Sequence, residues 1–219
     1  MPIISKRLLS RERLLQQRIN AERKRSAQNR PHVLHFFHQP ADPYSQLLAS
    51  VLPKLLQKFK VTLETYPINA PADSAVPERE RLQVYSQLDA KRLASHHQIA
   101  WTFDEVEALE NESPTPQKAL NNARQKKWGH YLGATIYYEG EWYWGIDRLH
   151  HLEDRLNDLG LCQVAYNGPL FPTVQYQAID PVHKGFAGGI SADVFAFFGR
   201  HRQTSHGHGQ HIAQVHLNA

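Results

Sequence analysis

The sequence predicts an α/β fold in which a strand–helix–strand unit and a strand–strand–helix unit are separated by an inserted helical segment. Three observations predict it. Short runs rich in apolar, β-branched or aromatic residues stand at 32–38, 61–66 and 133–144. Wide apolar helical faces follow two of them, at 43–59 and 146–159. Between the two groups lies a polar, proline-punctuated stretch of helical composition, from about 71 to 128.

Each element has its own signal. His32 to His38 (HVLHFFH) reads as a short buried strand, and QPADP, residues 39–43, as a turn. Asp42 before Pro43 is a helix start, with Asp as the N-cap and Pro at the first helical position. Leu47, Leu48, Val51, Leu52, Leu55, Leu56 and Phe59 then share one face, and Pro53 inside the helix predicts a kink. Val61 to Tyr66 is a second strand. A crossover of this length makes the first two strands parallel. Pro77 to Ser95, Phe103 to Glu110 and Gln117 to Lys127 are helical segments of the insertion. Ile136 to Tyr138 and Trp142 to Trp144 form a hairpin around Glu139-Gly140. A last helix from about Ile146 to Leu159 places Ile146, Leu149, Leu152 and Leu156 on one side, with Gly160 to stop it. This order, βαβ–helices–ββα, predicts a thioredoxin-like core over residues 31–160 with a helical insertion.

Charge and composition bound the function. The chain has 219 residues, 41% hydrophobic and 21% charged, ordinary for a domain with a packed core. Residues 1–30 hold nine Lys or Arg against two Glu, a net +7, which leaves −3 for the rest of the +4 total. The basicity therefore belongs to an N-terminal arm, helical from Ser5 to about Ala27, with Leu8, Leu15 and Ile19 on one face. Such an arm is a solvated helix docked loosely on the body, a contact for an anionic surface or nucleic acid, or a presequence. No apolar run is long enough for a membrane span, and no apolar core of a secretory signal follows the basic start. A cytoplasmic location is the expectation. Cys162 is the single cysteine, which excludes an intrachain disulfide and a C-x-x-C dithiol oxidoreductase. It is expected as a semi-buried small hydrophobe.

Two blocks carry a resemblance. Phe36 to Ala49 (FFHQPADPYSQLLA) resembles the strand-to-helix signature of the DsbA-like group containing 2-hydroxychromene-2-carboxylate isomerases and kappa-class glutathione transferases. Tyr143 to Leu156 (YWGIDRLHHLEDRL) is similar to that group's F-W-G-x-D-R-L-x-x-L-E-x-x-L. The resemblance implies glutathione, or a similar thiol, bound at the N-terminus of the first core helix. There a serine and the helix dipole hold the thiolate, a cis-proline presents backbone, and an Asp meets the γ-glutamyl end. A small conjugated, hydrophobic electrophile is the implied second substrate. The chemistry is that of an isomerase, transferase or oxidoreductase dependent on glutathione.

Carried over by position, the catalytic candidates are Asp42 and Ser45. The binding candidates are Pro43, Tyr44, Ala134, Thr135, Asp147 and Arg148. Of the three that stand at the group's serine, cis-proline and Asp positions, Asp42, Ala134 and Asp147, only Asp147 agrees. Asp42 puts a carboxylate, expected to be ionised near neutrality, where the group has a serine hydroxyl, and a negative charge there raises a nearby thiol's pKa. Gly133-Ala134-Thr135 stands where Val-Pro-Thr is the pattern, so the loop is expected to be trans and differently shaped. Asp42 is equally an N-cap, Ser45 a helix-surface serine, Asp147 a first-turn acid and Arg148 half of a surface ion pair. Trp128, Trp142, Tyr143 and Trp144 are either a hydrophobic site or cross-strand packing. No metal site is expected.

Residues 161–219 read as an irregular extension. Ala192 to Phe198 (ADVFAFF) echoes the first strand, as at the start of a truncated second repeat. His201, His206, His208, His211 and His216 lie in a Gly/Gln-rich tail expected to be disordered. Two functions follow: a glutathione-dependent enzyme, or a non-catalytic binding module that has lost the thiol-activating residues.

Overall fold

A computed structural model describes residues 11–110, 113–163 and 169–171. The strand echo at 192–198 and the histidine tail lie outside these. Contacts divide the chain into two units. The unit carrying the sheet begins at Arg18. Of the other, only residues 11–17, the first turns of helix α1 (Arg11–Ala27), are among the described residues.

Strand β1 (Val33–His38) is followed by helix α2 (Pro43–Lys58) and strand β2 (Thr62–Pro67). The insertion holds α3 (Arg79–His96), α4 (Glu105–Glu110) and α5 (Pro116–Lys127). Strands β3 (Thr135–Tyr138) and β4 (Glu141–Trp144) come next, then a 3-10 turn (Ile146–Arg148) leading into α6 (Leu149–Asp158). The fold is mixed α/β. Its four strands lie in the order β2-β1-β3-β4, β1 parallel to β2 and antiparallel to β3, and β3 antiparallel to β4. The parallel first pair is the one the crossover length requires. Glu139 (φ 41°) and Gly140 (φ 92°) make the two-residue hairpin turn, both in the left-handed region that such a turn demands.

One sheet face carries the core. Leu34, Phe36, Ile136, Tyr138 and Tyr143 face Leu47, Leu48, Val51, Leu52 and Leu55 of α2 and Leu149, Leu152 and Leu156 of α6. Helix α2 continues through Pro53 to Lys58. Polar groups pin the helices. The buried Lys58 Nζ meets Glu153 Oε1 at 2.6 Å, and Glu153 also accepts from the backbone N–H groups of Leu170 and Phe171. Arg155 donates to the Tyr138 carbonyl at 2.8 Å and pairs with Glu141 at 3.0 Å, fixing α6 to the hairpin.

Along α1, Arg18, Glu22 and Arg25 are half-buried, whereas Ile19 is 45% exposed. Arg18 makes two hydrogen bonds of 2.8 Å to the Glu141 carboxylate, tying this helix to the hairpin by charge pairing. One expectation is corrected here: Cys162 is exposed rather than semi-buried, because its backbone rather than its thiol is packed, bridging to Phe59. No helix among the described residues is long and apolar enough to cross a membrane.

Candidate functional site

The first turn of α2 is built by Asp42. In extended conformation (φ −99°, ψ 118°), it accepts from the Tyr44 N–H at 3.3 Å through Oδ1 and from the Ser45 N–H at 3.1 Å through Oδ2. These are two of the donors that a helix start leaves without partners. Pro43 occupies the first turn and is buried. Loss of water around the carboxyl pushes the Asp42 pKa up to about 7, the two backbone N–H groups pulling it back only in part. The expectation that Asp42 is fully ionised near neutrality is thereby overturned.

Ser45 is fully buried, which corrects its reading as a helix-surface residue. Its Oγ accepts from the Gln39 N–H at 3.0 Å and the Ala134 N–H at 2.8 Å. One hydroxyl therefore ties the β1–α2 turn, the helix start and the loop before β3 into a joint. Among the described residues every peptide bond is trans, and Ala134 lies in the left-handed region at φ 53°. The Ala134 carbonyl accepts from the Gly145 N–H at 2.8 Å, so both backbone groups of this residue are used within the chain. Gly133 allows the close approach. A Cβ there would stand 2.9 Å from Gln39 Cβ and 3.3 Å from Asp42 Oδ2.

The remaining candidates divide. Tyr44 is half-buried and donates through its hydroxyl to Asp89 of α3 at 2.9 Å, and its own pKa is raised, mainly by burial and then by that acid. Thr135 is fully buried, its Oγ1 donating to the Leu132 carbonyl and accepting from Gln125 Nε2 at 3.1 Å, so its side chain serves the loop. Asp147, two residues after Gly145, is half-buried, with Oδ1 3.6 Å from His97 Nε2 at the end of α3. That separation is longer than a hydrogen bond. The Asp147 Oδ1 and both His97 ring nitrogens are buried without a hydrogen-bond partner. Arg148 is exposed. The segments around 42, 134 and 147 are thus joined through Ala134, while the side chain of Asp42 turns to its own helix start and that of Asp147 faces His97.

Sequence reasoning missed four contributors. Gln46 grips the insertion, its Nε2 donating to the Pro40 and Asp104 carbonyls at 2.9 Å and its Oε1 accepting from the Asp104 N–H at 2.8 Å. Gln39 and Asp89 supply the joint's other partners, and His97 faces Asp147. Only His97 had any local signal, a histidine where a helix ends; the others are fixed by contacts remote in sequence. Among the described residues, no group of three or more His, Cys, Asp or Glu is arranged to hold a metal ion.

The arrangement does not fit a bound thiolate. The N–H donors of Tyr44 and Ser45 are spent on Asp42, the Ser45 hydroxyl is inaccessible, and the ionised half of Asp42 repels a second anion. The chain's own thiol lies beyond the far end of α2, a 16-residue helix, roughly 24 Å long at 1.5 Å per residue. Comparison with models of known families, with curated proteins and with solved structures finds no match for this chain in any of the three.

Proposed function

We propose that this chain is a thioredoxin-like module of the DsbA-like group, patterned on the glutathione-dependent isomerases and kappa-class transferases, that binds a partner without activating a thiol. The strand order, the parallel β1–β2 pair and the antiparallel β3–β4 hairpin support the thioredoxin-like reading. A single observation carries the non-catalytic reading: the Asp42 carboxylate takes both N–H groups that a thiolate at this helix end would use.

The test is an amide-shift titration with glutathione at millimolar concentration, with an assay of transfer to a conjugated electrophile. The expected result is no saturable shift at Tyr44, Ser45 or Ala134 and no transfer above the solution rate. Asp42→Ser that gains transfer identifies the carboxylate as the block.

A second reading is favoured by the Asp42 pKa of about 7, because a carboxyl titrating near neutrality is also a proton carrier. In that reading the chain is an isomerase-type enzyme whose Asp42 exchanges a proton with a small conjugated substrate. Isomerisation by the wild type that Asp42→Asn abolishes, with saturable ligand shifts, would replace the first reading with this one.

A further inference from the structure

The sheet has a second face, turned away from the core, and it is aromatic. Side chains alternate along a strand, so His35 of β1, Tyr137 of β3 and Trp142 of β4 point opposite to Phe36, Ile136 and Tyr143. Trp128, at the end of α5, lies over Tyr137 with ring centroids 4.7 Å apart. Tyr137 and Trp142 are directly paired across the strands at 4.9 Å, and His130 extends the row at 4.9 Å from Trp142. His35 meets Trp128 edge-on at 5.1 Å and Tyr66 at 5.8 Å. The fully buried Phe37 beneath this row supports it. The row itself stays only half-buried, and the neighbouring Tyr131 is 48% exposed.

Cross-strand packing accounts for the contacts between these rings. It leaves unexplained why so many of them stay half open to solvent, or what stands beside them. Helix α5 has no acidic residue, and its last turns present Arg124, Lys126 and Lys127 to solvent. The Arg124 guanidinium lies 4.6 Å from the Tyr66 ring. Among the described residues, the acids acting on His35 are Glu64, at the β2 edge beside Tyr66, and Glu139 in the hairpin turn, which Arg30 neutralises at 2.9 Å.

We propose that this face binds single-stranded nucleic acid, bases stacking on the Trp128–Tyr137–Trp142 row and the backbone running along Arg124, Lys126 and Lys127. Half-exposed aromatic rings match unpaired bases of any sequence, and cations clustered on a helix that carries no acid match phosphates. A second copy of the chain fits less well, since a two-fold contact across this face brings each cationic helix end toward its own copy. The net +7 of residues 1–30 adds to the attraction for a polyanion. The inference is independent of how the helix start at Asp42 is used, since α2 packs on the opposite face of the sheet.

The experiment uses the full chain and a labelled oligothymidylate of about twelve nucleotides, a length typical of stacking surfaces. Fluorescence anisotropy is expected to show saturable binding that weakens linearly in log–log fashion with salt, accompanied by quenching of tryptophan emission. A duplex of equal length binds more weakly. Trp142→Ala and the exposed Tyr131→Ala each weaken binding roughly fivefold or more. Lys126→Glu with Lys127→Glu lowers affinity and flattens the salt slope. Absence of binding by the wild type overturns the proposal. So does equal binding of polyglutamate or heparin with no response to Trp142→Ala or Tyr131→Ala, which marks a purely ionic surface or an acidic protein partner. Reversible dimerisation that Tyr131→Ala abolishes, without nucleic-acid binding, assigns the face to a second copy.

Discussion

Replacing Asp42 by Asn isolates the cost of holding a carboxylate at the start of α2. The amide oxygen of Asn remains a good N-cap acceptor, so the helix start is preserved while the charge is removed. Burial carries the Asp42 pKa from its ordinary 3.8 to about 7. The folded state therefore holds this proton more tightly than the unfolded chain does. Stability from this group is fully present below the unfolded pKa, falls as pH rises between about 4 and 7, and is constant above. At 1.36 kcal/mol per tenfold change in proton affinity, the loss reaches about 4 kcal/mol. Urea unfolding of the two proteins should give similar stabilities near pH 4 and an advantage for Asp42→Asn approaching that figure near pH 8. Asp42→Ala, lacking the cap, should lie below Asp42→Asn by about 1 kcal/mol at every pH. A difference between wild type and Asp42→Asn that is flat with pH, or that favours the wild type at high pH, would mean that the helix end outweighs burial. The reasoning on the site's electrostatics would then be wrong.

Two further substitutions probe the joint and the core. Ser45→Ala leaves the buried Ala134 N–H without its acceptor, at about 1–3 kcal/mol, and the half-buried Gln39 N–H likewise, at about 1 kcal/mol. Denaturant unfolding should register a loss of roughly 2–4 kcal/mol, with amide exchange accelerated at 39 and 134. Glu153→Ala removes the carboxylate that pairs the Lys58 ammonium, which is 3% exposed, and should cost about 3–5 kcal/mol. At roughly 2–4 °C per kcal/mol, the thermal midpoint drops by about 6–20 °C. Combining Lys58→Met with Glu153→Leu should recover much of it, because the cost of the buried charge rather than the lost attraction dominates.

The elements were legible where a local pattern specifies them. Asp42-Pro43 marks the start of α2 through cap chemistry, and Glu139-Gly140 marks the hairpin between aromatic runs. The compact apolar run of β1 marks a buried strand without knowledge of its partners, and the structure puts Leu34 and Phe36 on its core face. What the pattern hides is everything decided by a partner distant in sequence. The acceptor role of Ser45 depends on Ala134, 89 positions away, and nothing in P-Y-S distinguishes it from an exposed serine. The loss of water around Asp42 depends on the approach of Gly133, and the position of Asp147 on a histidine that ends α3. The pairing of Arg18 in α1 with Glu141 on the hairpin, 123 positions away, is of the same kind.

The conformation of Ala134 bears on whether a proline can stand at this position. A proline at 134 fixes φ near −65°, on the other side of zero from the 53° found here, and it has no N–H to give to Ser45. Introducing the ring would force the loop to reverse its hand and leave the hydroxyl of Ser45 short of one donor. A serine at 42 would leave the loop as it is. Position 134 is thus held twice, by its hand and by the N–H it supplies, and as long as Ser45 is the acceptor there the residue before β3 must be one that keeps its amide hydrogen.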